Sequence, residues 1–248
     1  MKFVGIIPAR YDSSRFPGKP LADIGGKSMI QRVYERAEEA IKQIVVATDD
    51  ERIFDAVKEF GGEVVMTAKH HKSGTDRCAE AYQLFNRSGS ADVVINIQGD
   101  EPFIKKDQFH TLMKCFADPE VEIATLIRKI ELYEDLFNEN KPKVVIDDKE
   151  DAIYFSRSPI PFLREEPKEK WISSHSFYSH VGIYAYKTET LYKLSRLSQG
   201  LLEKIEALEQ LRWIEKGFKI RTAVTDYDSY GIDTPEDIEK ARELRYFE

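Results

Sequence analysis

Short apolar runs and amphipathic stretches alternate along the first hundred residues of the 248-residue chain. The runs at 3–7, 44–48, 64–66 and 93–97 have the length and the Val/Ile content of buried strands. Between them, 29–40, 53–60 and 75–85 set apolar residues three or four apart, the spacing of one helix face. Strands separated by helices of this length predict an α/β fold with a wound, mostly parallel central sheet flanked by helices. Local signals agree with it. Asp49 and Asp50 suit the amino terminus of the helix after the second strand, and Gly61-Gly62 supplies its stop.

The rest of the chain is less regular. Residues 121–128 predict a strand, 143–146 and 152–156 a hairpin around the acidic turn 147–151, and 181–186 and 219–224 two further strands. One amphipathic helix is expected over 202–216, and a closing helix over 235–244 with Pro235 in its first turn. The polar run 164–176 reads as a mobile surface connection. No repeat, low-complexity tract or linker divides the chain, so a single α/β domain is expected over 1–248, with a smaller β-rich insertion at roughly 121–200.

Chemistry first enters where the first strand should end. The segment Pro8-Ala9-Arg10-Tyr11-Asp12-Ser13-Ser14-Arg15-Phe16-Pro17-Gly18-Lys19-Pro20 leaves that strand directly. Proline stiffens the loop, glycine permits close backbone approach, and Arg10, Arg15 and Lys19 offer the charges that phosphate oxygens accept. Ligands of open α/β sheets gather beyond the carboxyl ends of the strands, which is where this loop begins. Nucleoside triphosphate binding is the reading; a loop whose arginines are merely solvated is its competitor. Neither a P-loop nor a dinucleotide Gly-x-Gly-x-x-Gly follows the strand, and Gly25-Gly26-Lys27-Ser28 is only a fragment of the former.

Charge sharpens that point. The net charge is −7, which argues against a general nucleic-acid binder, so an anionic ligand needs a local basic pocket, and 10–19 can provide one. With 42% hydrophobic and 33% charged residues, and no apolar run of membrane-spanning length, neither disorder nor a membrane protein is indicated. Without the pattern of a secretory signal, cytoplasmic residence is the default expectation. Cys78 and Cys115 lack metal-like spacing and sit in helical patterns, which predicts reduced, buried thiols.

Two more segments carry carboxylates. Gln98-Gly99-Asp100-Glu101-Pro102 lies where the fourth strand runs out, and Asp100 there suits Mg²⁺, which takes one or two carboxylates together with substrate oxygens; an ordinary turn is the alternative. In Gly231-Ile232-Asp233-Thr234-Pro235-Glu236-Asp237, either Asp233 or Thr234 caps the helix opened by Pro235, or Asp233 is instead a second metal carboxylate.

Taken together, these motifs resemble the 3-deoxy-manno-octulosonate cytidylyltransferase family, the CMP-Kdo synthetases. Ala47-Thr48-Asp49, Ser73-Gly74-Thr75-Asp76-Arg77, Tyr154-Phe155-Ser156-Arg157, His180-Val181-Gly182-Ile183-Tyr184 and Leu208-Glu209-Gln210-Leu211-Arg212 extend the resemblance over nearly the whole chain. It implies a nucleotide-diphospho-sugar transferase fold and transfer of CMP from CTP to Kdo with Mg²⁺, feeding lipopolysaccharide synthesis. It further implies that Pro8, Ala9, Arg10, Arg15, Lys19, Ser73, Arg77 and Gln98 bind CTP, with Ser73 and Arg77 selecting cytosine. Arg10, Lys19, Asp100 and Asp233 would be catalytic, the two carboxylates holding the metal. Gln98, Arg157, His180, Tyr184, Glu209 and Gln210 would bind the sugar, and the 121–200 elaboration would also build a homodimer. Plain packing or hydrogen bonding at a strand end competes for His180 and Tyr184, and a solvated helix face for Glu209 and Gln210. One departure is visible: Asp76 stands where the family pattern has glutamate. A relative acting on a sialic acid or amino-Kdo, and a non-catalytic nucleotide-binding protein, are the competing functions.

Overall fold

The computed structural model describes residues 1–12, 16–85, 91–228 and 230–243. In chain order its strands and α-helices are β1 (Phe3–Ala9), α1 (Met29–Glu38), β2 (Ile44–Thr48), α2 (Glu51–Glu59), β3 (Val64–Met66), α3 (Gly74–Phe85), β4 (Val93–Asn96), α4 (Lys106–Lys114), β5 (Ile123–Lys129), α5 (Tyr133–Phe137), β6 (Lys143–Ile146), β7 (Ala152–Ser156), α6 (Trp171–Ser174), β8 (Tyr178–Lys187), α7 (Thr188–Leu194), α8 (Leu201–Glu206), α9 (Gln210–Glu215), β9 (Arg221–Val224) and α10 (Pro235–Glu243). The alternation expected over the first hundred residues is present. α4, α5 and α7 were not foreseen; α5 and α7 are five and seven residues long, too short for a periodicity to declare itself.

The chain forms two compact units, one of Met1–His110, Ala185–Ser195 and Ser229–Glu248, the other of Thr111–Tyr184 and Arg196–Asp228. In the first, four strands run in the order β3-β2-β1-β4, all parallel, with Gly5 opposite Ile44, Val4 opposite Val94 and Val46 opposite Val64. Helix starts and stops follow the side chains. Ser28 accepts the Gln31 amide, and Met29, Ile30, Val33, Tyr34 and Ala37 then fall on the buried face of α1. The Asp50 carboxylate accepts from the Arg52 amide, opening α2, and Gly61 at φ 83° closes it with its N–H on Lys58 O. Ile24, Met29, Phe103, Ile232, Ile238 and Ala241 form one buried cluster that ties α10 and the segment before it into this unit.

In the second unit β5 lies between β8 and β9, parallel to β9, and the expected hairpin of β6 and β7 is antiparallel, with β6 also antiparallel to β8. The single helix expected over 202–216 is two. Ala207, at φ 51°, breaks it, and the cause lies at the end of β7: Arg157, just past the strand, donates to the carbonyls of Glu206 and Ala207, while the Glu206 carboxylate accepts from the Ser156 hydroxyl and the Arg157 amide. Carbonyls claimed this way have no need of a continuing helix. The 164–176 run also differs from expectation, because it carries α6 and the buried indole of Trp171, which packs with Ile130, Leu136 and Phe177 and donates to Glu166 O. Of the two free cysteines, Cys78 is buried and Cys115 only partly so, its thiol pushed up to about 11 by burial.

A buried ion pair couples the two halves of the broken helix. Glu203 on α8 receives both Nε and one terminal nitrogen of Arg212 on α9, at 2.7 and 2.6 Å, and both residues are under a tenth exposed. Arg212→Ala would leave a buried carboxylate with no counter-charge. Denaturant unfolding should show a loss of about 3–5 kcal/mol, whereas a change under 1 kcal/mol would mean that water reaches Glu203 freely.

Candidate active site

All four parallel strands of the first unit end on one edge, and the three chemical segments converge there. Arg10 follows β1 with its side chain exposed. The loop closes where the Gly18 amide bonds Tyr11 O at 2.9 Å; Gly18 has φ 73°, and a Cβ there would meet the Tyr11 ring at 3.1 Å. No other residue fits that turn without strain. Past β4, the Ile97 amide still bonds Ile6 O, and the chain then turns through Gln98-Gly99-Asp100. A Cβ on Gly99 would lie 2.9 Å from Pro8 O, so the two loops lie backbone against backbone. The Ile232 amide donates to Asp100 O at 2.8 Å and brings Asp233 in from the far end of the sequence.

At the meeting point the Lys19 ammonium lies 2.6 Å from Asp100 Oδ2 and 3.2 Å from Asp233 Oδ1. It borders a cavity of about 540 Å³. Pro8, Ala9, Arg10 and Lys19 line it from the first loop, Ser73 and Arg77 from the start of α3, Gln98 and Asp100 from the end of β4, and Asp233 from the segment before α10. Arg15 lies outside the described residues. Thr234 is the residue directly before α10. The Asp237 carboxylate reaches back to the amides of Asp233 and Thr234 and to the Thr234 hydroxyl, at 2.9–3.0 Å, which leaves Asp233 Oδ1 facing Lys19. Burial pushes the Asp237 carboxyl up, but these hydrogen bonds outweigh it and hold the group below the usual carboxylate value.

Two carboxylates that one ammonium can bridge are also within reach of one divalent cation. Among the described residues no group of three or more His, Cys, Asp or Glu could hold a metal. The donor set therefore fits Mg²⁺ carried on phosphate oxygens, not a resident all-protein cage. On the wall, Ser73 Oγ accepts the Asp76 amide at 3.1 Å as the cap of α3, which leaves its hydroxyl proton free to donate. Arg77 is almost wholly buried, with one terminal nitrogen on Asp49 and the other on Thr67.

The remaining candidates lie in the second unit. His180 and Tyr184 stand on one side of β8 with ring centroids 5.1 Å apart, Phe155 meets His180 edge-on, and Trp213 meets Tyr184 edge-on. His180 Nε2 is 3.0 Å from Thr125 Oγ1, and burial drives the imidazole down to about 3, so it is neutral. Glu209 and Gln210 open α9, and Gln210 is buried rather than part of a solvated face. Arg157 is occupied: Glu206 O, Glu139 O and Ala207 O each take one of its N–H groups.

The description "Cytidylyltransferase" belongs to the family model that matches residues 4–220. The 3-deoxy-manno-octulosonate cytidylyltransferases of Parabacteroides distasonis and Bacteroides thetaiotaomicron are both 54% identical to the chain, covering 97% and 98% of each partner. The chain belongs to the 3-deoxy-manno-octulosonate cytidylyltransferase family. A solved CMP:2-keto-3-deoxy-manno-octonic acid synthetase complexed with CTP superposes with a TM-score of 0.90 at 43% identity, covering 99% of this chain and 98% of that one. The resemblance read from the motifs is borne out, and so is the fold expected of this cytidylyltransferase family.

Sequence reasoning passed over three residues at these sites. Asp49 and Thr67 were not connected to Arg77, since nothing local links residues so far apart. Lys143 sits in an apolar strand, fully buried, with its ammonium on Asn138 O; burial first, and then the Arg157 charge, bring it down to about 8. A lysine inside Lys143–Ile146 was the one available signal. Stability should register His180 as well. The unfolded chain binds a proton on this histidine near pH 6.5 and the folded chain only near 3, so stability is lost as pH falls between those values. Urea unfolding at pH 7 and pH 5 should show His180 costing about 2 kcal/mol, and His180→Gln should remove that part of the slope. An unchanged slope in the variant would mean that His180 titrates normally.

Proposed function

We propose that the protein transfers a cytidylyl group from CTP to Kdo, forming CMP-Kdo and pyrophosphate for lipopolysaccharide assembly. The observation that carries the reading is Lys19 set between Asp100 and Asp233 at a cavity that Arg10, Ser73, Arg77 and Gln98 also line. A triphosphate entering the cavity meets exposed Arg10 and the Lys19 ammonium. Asp100 and Asp233 would hold Mg²⁺, which supplies charge neutralisation at the α-phosphoryl group and the leaving pyrophosphate. Lys19, drawn toward phosphate, releases both carboxylates for that cation. The sugar's anomeric oxygen forms the new bond to the α-phosphorus in line as the bond to the β-phosphate oxygen breaks, and the hydroxyl proton leaves to solvent.

For the acidic sugar, His180, Tyr184, Glu209 and Gln210 supply neutral and polar contacts. The cations Lys143 and Arg157, close enough for one to depress the other, favour an anion nearby. Arg157 acts in this reading chiefly by setting the α8–α9 turn. A homodimer is part of the proposal, supported by apolar side chains left open on the second unit: Ile153 (54% exposed), Phe162 (70%), Leu201 (67%) and Ile205 (71%). Among the described residues no helix is long and apolar enough to cross a membrane. Residence in the cytoplasm is proposed from the nucleotide substrate.

Pyrophosphate release with Mg²⁺ should require Kdo and a nucleotide, with ATP, GTP and UTP each far less effective than CTP. Release with a sialic acid in preference to Kdo would move the sugar assignment. Asp100→Asn should lower kcat by roughly a hundredfold or more while the protein stays folded, and full activity in this variant would take Asp100 out of the mechanism.

A further inference from the structure

Arg77 differs from exposed Arg10 and partly exposed Lys19 in having its charge matched under nearly complete burial. One terminal nitrogen donates to Asp49 Oδ2 at 2.7 Å and the other to Thr67 Oγ1 at 2.5 Å, and the residue is 1% exposed. Thr67 is itself fixed: its amide and its hydroxyl both donate to Thr48 O, at 2.7 and 3.0 Å, so a lone pair of Oγ1 is what faces the guanidinium. Both anchors come from the ends of adjacent parallel strands, Asp49 after β2 and Thr67 after β3. Neither residue lines the cavity, whereas Arg77 does.

We propose that Asp49 and Thr67 are positioning residues that hold Arg77 as a fixed, charge-neutralised donor, and that the choice of cytosine over uracil depends on this clamp. It rests on the reading of the cavity as the CTP site. A guanidinium neutralised by a carboxylate is a poor grip for phosphate, a task left to Arg10 and Lys19, but its remaining N–H groups keep their direction. Cytosine presents acceptors at both O2 and N3; uracil presents an N3–H, which a fixed donor opposes. Direction is what such discrimination needs, because a donor free to swing would turn to uracil O4 or to a phosphate oxygen. The clamp removes that freedom.

The test compares kcat/KM for CTP and UTP, by pyrophosphate release with Kdo and Mg²⁺, in the full-length enzyme and in Asp49→Asn, Thr67→Val and Thr67→Ser. Asp49→Asn and Thr67→Val should cut the CTP/UTP ratio by about tenfold or more, mainly through a higher KM for CTP with kcat within about threefold of the parent. Thr67→Ser, which keeps the hydroxyl, should restore the ratio; a merely structural lesion would lower both nucleotides alike. If Asp49→Asn fails to fold, the Thr67 pair decides. Folded variants with the parent's CTP/UTP ratio would overturn the clamp while leaving the cytidylyltransferase reading intact. A parent enzyme with no CTP-dependent release would overturn that reading, and the clamp with it.

Discussion

Parallel pairing is the constraint on which the first unit depends. Once β1 is paired in parallel with both β2 and β4, and β2 with β3, every one of these strands must leave the sheet at the same edge. Pro8-Ala9, Thr48-Asp49, Met66-Thr67 and Asn96 to Asp100 are therefore neighbours by topology, before any side chain is considered. Close backbone contact then selects glycine at 99, and a left-handed turn selects it at 18. Asp233 reaches the same edge by another route, through the apolar cluster around Ile232 and the bond from its amide to Asp100 O.

Two kinds of cation result, and their surroundings set them apart. Lys19 is shared between two partly exposed carboxylates at the edge of the cavity, where solvent competes for each contact. Arg77 is paired where water is excluded, and undoing that pair would leave Asp49 and Thr67 without their partner. An exchangeable cation serves charge that moves during a reaction. A locked one serves recognition that must not move.

Much of this first unit was legible in the chain. Strand runs, helix faces, the Asp50 start and the Gly61 stop are local signals, and each acts within a few residues of where it is read. The loop 8–20 and the turn 98–102 were legible as chemistry because a strand end gives a position in space as well as a residue type. What was not legible is long-range. Nothing in residues 202–216 announces a break, since Ala207 is an ordinary helix former; the break is imposed by Arg157, some fifty positions earlier, taking the carbonyls. Trp171 was hidden in the same way, an apolar anchor inside a polar run whose burial depends on Ile130, Leu136 and Phe177.

Arg157 shows why residue type alone does not assign a role. The family resemblance assigns it to the sugar; in the fold three of its five N–H groups go to backbone carbonyls. Carbonyl partners satisfy hydrogen bonds without cancelling charge, so the positive potential survives in part beside the Glu206 carboxylate, which accepts from the Arg157 amide. Lys143 feels that potential, and with burial it lowers the lysine toward neutral pH. An anion bound beside them would be stabilised by Coulomb attraction without taking Arg157 from the turn, and the same anion would raise Lys143 again. The turn that places Glu209 and Gln210 and part of the charge felt by Lys143 thus come from one side chain, which ties the shape of this part of the second unit to its electrostatics.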